Sequence, residues 1–316
     1  MITVARPLRL EHSVEVSHVS HRLALGVKWL DALTQLPADG PLTSELEAIG
    51  SRPLRQTCEL RQPGRHALRW AGRLAALLKI AAEDKVSAPP ATPTDDPTNF
   101  VLRSFAQRAP AGVPYSRSQD PRRYVPRRVA LTPIQTDGIP PAALDNIRQG
   151  WLWPGANYPL GAKTTAIRGR IRRGASMADA EIVPWARVTV SLPANILAAP
   201  DFANEPQVGW GHGDDRGEFL VVLGANAVPG GATLPTSMPL RVWVFLPPVG
   251  AFDPDHALDS LPLEQAESDA INDVLRGIAP PPGYVRQNAM SIPLSSGATV
   301  RPGATLVLND EVLLFP

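Results

Sequence analysis

The sequence predicts a mainly β protein, built as two antiparallel β-sandwiches with Pro-rich loops and one or two short helices. Three observations carry this. Short segments alternate polar and apolar residues, as in Trp185-Ala186-Arg187-Val188-Thr189-Val190-Ser191-Leu192. Clusters of Gly, Pro, Asn and Asp separate those segments, which is how short strands and turns read. Proline is abundant, 35 of 316 residues, and disfavours long helices and central parallel strands. The length fits about two domains, expected at 1–135 and 161–316 with a linker at 136–160.

Residues 1–16 place Leu8, Leu10, Val14 and Val16 on an even period, so they read as extended. Leu23, Leu25, Val27 and Trp29 then fall on one face of a strand. A helix competes there, since Leu23, Leu30 and Leu33 also fit a 3.6-residue period, but Gly26 sits badly in a helix. Thr57-Cys58-Glu59-Leu60 reads as a strand, Gln62-Pro63-Gly64-Arg65 as a turn, and His66 to Trp70 as the returning strand. Ala71 to Ala82 fits a short helix and a buried strand equally well. Ser87 to Thr98 is a loop by composition. Asn99 to Gln107 and Tyr124 to Thr132 read as the closing strands of the first half.

Pro140 to Gln149 reads as a short linker helix with proline in its first turn. Trp151 to Gly161 follows, punctuated by Pro and Gly. Thr164 to Ile171 and Trp185 to Leu192 read as strands. Val208 to Leu223, with a turn at Gly211 to Gly217, reads as a hairpin, and Leu240 to Leu246 as a further strand. Ala251 to Asp255 reads as a loop. Ser260 to Arg276 is the clearest helix pattern, with Leu263, Ala266, Ala270, Ile271, Val274 and Leu275 on one face and Gly277 as its stop. Ser291 to Leu294, Gly303 to Leu308 and Glu311 to Phe315 read as strands returning to a sheet.

Composition narrows the function. The net charge of +1 gives no global electrostatic case for nucleic acid or an anionic membrane. The single cysteine, Cys58, leaves no intramolecular disulfide. The first residues lack the apolar core of a signal peptide, and no apolar run approaches the roughly 20 residues of a membrane helix. Synthesis in the cytoplasm without a signal peptide is therefore expected, with no membrane partner.

Several clusters carry side chains suited to a site. His12, His18 and His21 lie close together, but His21 leaves the face that the other two share, and a metal needs converging ligands. His212, Asp214, Asp215 and Glu218 crowd one turn, where clustered oxygens suit a hard cation; the neighbouring glycines suit a tight turn, the preferred reading. Asp253, Asp255 and Asp259 lack the glycine and terminal glutamate of a calcium loop. Arg117, Arg122, Arg123, Arg127 and Arg128 form a basic run interleaved with Tyr115 and Tyr124. Nucleic acid would need such charge. Arginine and tyrosine also favour protein interfaces, and Arg127 and Arg128 would point to opposite faces of a strand. No Gly-x-Ser-x-Gly and no phosphate-binding Gly-rich loop occurs, and no histidine lies nearer Cys58 in sequence than His66. No catalytic residue, metal or cofactor is expected.

Three pieces carry a resemblance: Ile167-Arg168-Gly169-Arg170-Ile171, Ala186-Arg187-Val188-Thr189-Val190 and Asp214-Asp215-Arg216-Gly217-Glu218-Phe219-Leu220. Over residues 160–246 the chain resembles the transthyretin-like, carboxypeptidase-regulatory-like β-sandwich, departing from it at Pro193 to Glu205 and Val228 to Met238. The resemblance implies an immunoglobulin/transthyretin-like fold and an accessory module without chemistry of its own. The first half, through Leu23 to Thr34, resembles a second such sandwich. The two-sandwich layout resembles accessory proteins of contractile phage tails and phage-tail-like injection systems. It implies a non-enzymatic structural or adaptor part of a particle, whose partners are other protein subunits, self-association included. A carbohydrate or cell-surface binding module is the alternative. Trp151, Trp153, Tyr158 and the five arginines are the expected interface.

Overall fold

Period-two alternation at the start of the first half becomes strand β1, Leu23–Asp31, which settles the strand-or-helix choice there. The computed structural model describes residues 23–92, 95–108, 113, 115–131, 147–224, 227, 236–250, 252–266, 276–295 and 297–316. The stretch 1–16, with His12, His18 and His21, lies outside them. So do 140–146 of the expected linker helix, 267–275 of the expected second helix and most of the Val228 to Met238 departure.

After β1 come β2 (Thr43–Ile49), β3 (Arg52–Thr57), β4 (Glu59–Gln62) and β5 (Arg65–Arg69). Helix α1 (Gly72–Ser87) follows, then β6 (Phe100–Phe105), β7 (Arg127–Leu131) and β8 (Ile147–Leu152). The open reading of Ala71 to Ala82 resolves as helix because Leu74, Leu78 and Ala81 recur at helical spacing and all bury.

One sheet runs β4-β5-β1-β8. Its inner face sets Leu25, Val27, Trp29 and Leu68 against Leu46, Phe100, Leu102 and Val129 of a second sheet, with α1 closing the core. Each such large apolar side chain contributes about 1.5–3 kcal/mol on burial. Polar atoms inside pair with one another: the Trp29 indole donates to Ser44 Oγ at 2.8 Å, and Ser44 bonds Ser104 at 2.6 Å.

The second half continues with β9 (Ala166–Arg170), β10 (Arg172–Arg173), β11 (Glu181–Ile182), β12 (Arg187–Ser191), β13 (Gln207–His212), β14 (Glu218–Val222) and β15 (Leu240–Leu246). A 3-10 turn, Pro254–Ser260, leads to β16 (Leu263–Ala266). Then come β17 (Val285–Arg286), β18 (Met290–Ile292), β19 (Thr305–Val307) and β20 (Leu314–Phe315). Sheets β13-β12-β15-β17, with β18 beside β15, and β14-β9-β19 enclose the second core around Val188, Val190, Phe219, Val242 and Val244. A small sheet orders β11-β10-β20.

Four expectations are corrected. Val208 to Leu223 is a corner rather than a hairpin: β13 pairs β12 while β14 pairs β9, with one bridge, Gly213 to Phe219, between them. The strands pack across each other, and a Cβ on Gly211 would meet Val221 Cγ2 at 2.8 Å. The clearest helix pattern begins as strand instead, because β16 pairs in parallel with β7 and gives the buried Glu264 its arginines. The stretch expected as a linker contains β8, which pairs in parallel with β1; the linker-helix residues Ile147, Arg148 and Gln149 belong to it. Finally, the sheets are not wholly antiparallel, since β19 also runs parallel to β9 and β20 to β10. The coarse expectation stands: the protein is mainly β, in several sheets.

Candidate functional site

The arginine run lies at the seam where the two halves meet. Arg122 donates to Asp214 at 2.7 and 3.1 Å and to Glu218 at 2.5 Å. Asp214 also caps its own turn, accepting from the backbone N–H groups of Arg216 and Glu218, each at 2.9 Å. Burial pushes the Asp214 carboxyl above its ordinary value and outweighs the pull of Arg122. At Glu218 burial acts the same way, but hydrogen bonds from Arg122 and Arg170 win and hold it low. Arg117 pairs with Asp215 at 2.5 Å, and Arg216 donates back to the Arg117 carbonyl at 3.1 Å.

Deeper in the seam, Glu264 accepts from Arg127 at 2.5 and 3.0 Å and from Arg187 at 3.1 Å. Glu264, Arg127 and Arg187 come from β16, β7 and β12, and all three are buried. Arg127 also donates to the Trp151 carbonyl at 2.6 Å. Arg128 points the other way and forms a fork with Glu47 at 2.5 and 2.8 Å, so the predicted split between faces is observed. Arg123 pairs with Asp39 and lies over the rings of Tyr124 and Tyr158 at 5.7 and 5.9 Å.

The aromatic residues are equally enclosed. Tyr158 and Tyr124 both donate to Asp31, at 2.6 and 3.0 Å. Trp153 is buried, donates to the Arg276 carbonyl at 2.7 Å and stacks near Trp151, Trp210 and His212. Trp151 is half-buried under Arg276. The His212 Nε2–H donates to the Gly277 carbonyl at 2.6 Å. Burial, reinforced by Arg187 and Arg127, drives the His212 pKa well below its ordinary value, so the ring is neutral.

The residues expected as an interface have the following places within this chain. Tyr158, Trp153 and Arg127 are buried, and Arg117, Arg122, Arg123 and Arg128 are engaged with carboxylates of this same chain. Arg117, Arg122 and Arg127 fasten the first half to the second, whereas Arg123 and Arg128 pair with Asp39 and Glu47 of their own half. The partners Glu264, Asp31, Asp39 and Glu47 drew no attention in the sequence, because each lies far from its arginine or tyrosine along the chain. The turn read as a tight hairpin spends Asp214, Asp215 and Glu218 on arginines, and no cluster of metal-ligating side chains occurs among the described residues.

What faces outward is different. Strand β4 is an edge with all four residues exposed. The opposite edge strand, β3 of the second sheet, carries Pro53 and Arg55, which blunt it against pairing. Beside β4 lies a cavity of about 570 Å³ on the outer face of β5, β1 and β8. Another cavity of about 460 Å³ is lined by Tyr115, Arg103, Glu45, Asp255, His256 and Asp259 among others. Cys58 is buried, and that burial pushes its thiol up to about 12. No described helix is long and apolar enough to cross a membrane.

No family model matches this chain, and no curated protein does. Among solved structures it is similar to the Bacillus anthracis TIE protein at 9% identity and a TM-score of 0.21, over 92% of this chain and 34% of that one. The GBS52 minor pilin of Streptococcus agalactiae shares 8% identity over 90% and 93% of the two chains, at a TM-score of 0.19. The major pilin SpaD of Corynebacterium diphtheriae shares 10% over 72% and 61%, at 0.21. The chain spans about a third of the first of these proteins. Likenesses of this size carry no argument about function.

Proposed function

We propose that this chain is a non-enzymatic structural or adaptor component of a phage tail or phage-tail-like contractile particle, its halves being immunoglobulin/transthyretin-like sandwiches. One observation carries the reading. Buried and half-buried arginines, Arg122, Arg127 and Arg187, meet Asp214 and Glu264 where the halves join, while β4, an edge among the described strands, is exposed to solvent. A body braced across its middle with a free edge suits holding other subunits, because open edges recruit partner strands. The resemblance of residues 160–246 to an accessory sandwich supports the same reading. Its partners are other subunits of the assembly, including further copies of itself.

A second reading is a carbohydrate or cell-surface binding module, favoured by the cavity that sets Tyr115 among carboxylates and Arg103. Purification from the native source decides. A fixed stoichiometric place in a large particle is expected. A free monomer that binds glycans, with binding lost in Asp255→Asn/Asp259→Asn, overturns the first reading in favour of the second.

A further inference from the structure

We propose that the outer face of the sheet β4-β5-β1-β8 is a docking groove for an acidic, extended segment of a partner protein. This deepens the adaptor reading by naming the partner's chemistry.

The register builds the face. Gly26 pairs with both Ala67 and Ile147, and Lys28 pairs with both Arg65 and Gln149. These residues point away from the core, into which Leu25, Val27, Trp29 and Leu68 are directed. Gly26 and Ala67 make a floor of small residues, and the half-exposed Ile147 and Leu23 make an apolar wall. The resulting cavity of about 570 Å³ accepts a few side chains of an extended peptide.

Charge identifies the occupant. Lys28, Arg61, Arg65 and Arg69 line the cavity. The carboxylate of Glu59 pairs with Arg61, at 2.6 Å, and Arg69, at 2.8 Å. Lys28 and Arg65 stand directly opposite each other, and among the described residues no ion pair to either is seen. Like charges in directly opposed positions destabilise a sheet, and a carboxylate laid between the two would relieve that repulsion. Along a strand, residues two apart lie about 6.6 Å from each other. That is the step from the Gly26 floor to the Lys28 charge. An extended segment alternating along one face thus sets an apolar side chain on the floor and a carboxylate between Lys28 and Arg65. The free β4 edge of the same sheet offers backbone donors and acceptors for a strand laid alongside. A single-stranded nucleic acid fits less well, because its bases stack on aromatic rings, and none of the described lining residues is Trp, Tyr or Phe.

The test uses the purified full chain and a labelled synthetic peptide alternating glutamate and valine, followed by fluorescence anisotropy. Saturable binding that weakens as salt rises is expected. The double variant Lys28→Gln/Arg65→Gln is expected to bind about tenfold more weakly or worse, while its thermal midpoint stays level or rises as the repulsion is removed. The proposal is overturned by no saturable binding, by equal binding to the variant, or by a drop in the variant's midpoint. Tighter binding of single-stranded DNA or of a sulfated polysaccharide at the same salt also overturns it. Particle membership is read separately, by sedimentation of native particles. A chain that co-sediments but ignores the peptide loses this groove and keeps the adaptor role.

Discussion

Glu264 lies between two buried guanidinium groups, Arg127 and Arg187, and pairs with both. Removing one member of a buried ion cluster leaves the others charged and uncompensated, at a cost of about 3–5 kcal/mol. Glu264→Gln is therefore expected to lower stability by that amount in urea denaturation. A loss below about 1 kcal/mol would show that water reaches the seam and screens the charges. Gly277 sits at φ +70° with His212, Trp153 and Arg127 packed around it; a Cβ there would lie 2.9 Å from both rings. Gly277→Ala is expected to cost more than about 1 kcal/mol, through backbone strain and loss of the His212 hydrogen bond. His66 and His212 set the pH response. Burial lowers His66 to about 4 and His212 well below its ordinary value. The unfolded chain takes a proton near pH 6.5, before either folded ring does. Stability from these groups is therefore whole above pH 6.5 and is lost as pH falls from there towards 4, by up to about 1.4 kcal/mol per pH unit for each ring. A denaturation midpoint unchanged between pH 7 and pH 5 would contradict the neutral, buried rings. At this scale the sequence showed which arginines cluster and that Arg127 and Arg128 diverge. It could not show their partners, because Glu264 follows Arg127 by more than a hundred residues and no local period links them.

Among the elements, local pattern succeeded where one row of apolar side chains faces a core. The alternation in β1, β12 and β15 and the Leu74, Leu78, Ala81 spacing in α1 each set an apolar row against a core, although in β12 and β15 the other face is buried too. It failed where pairing partners are remote. Leu263 and Ala266 belong to an apolar helical stripe in the sequence, yet parallel pairing with β7 prevails because it places Glu264 on its arginines. The corner at Gly213 to Gly217 has hairpin chemistry, and only the packing of β13 across β14 shows that the chain changes sheets. Two measurements address elements directly. Leu78→Ala on the buried face of α1 is expected to cost about 2–5 kcal/mol by cavity formation, against little for Val86→Ala on its exposed side. Cys58, between β3 and β4 with its thiol pushed up to about 12, is expected to resist thiol reagents in the native state and to react on unfolding. Rapid native-state labelling would show that this edge opens freely.

For the whole molecule, the mainly β character was legible because alternation and turn residues recur throughout. The division at 136–160 is less clean than its composition suggested, since β8 lies within it and completes the first sheet beside β1. The first core also draws in Ala166 and Leu220 from the other side. A third apolar cluster joins Phe105 and Val125 to Trp185, Leu258 and Leu261. With ion pairs, strands and apolar contacts all crossing the seam, the chain is expected to unfold in one transition by circular dichroism and by tryptophan fluorescence. Arg122→Ala, which takes the guanidinium from Asp214 and leaves Glu218 to Arg170, is expected to separate the two signals. Two distinct transitions in the unaltered chain would mean that the halves are only loosely joined.

The parallel pairing of β16 with β7 has a further effect during synthesis. Arg128 is matched to Leu263, 135 positions later (263 − 128). At ribosomal speeds that delay is on the order of ten seconds. Throughout it, the rim strand of the newborn first half has neither its neighbour nor the acid for Arg127. A nascent chain in that condition is a natural client for a chaperone.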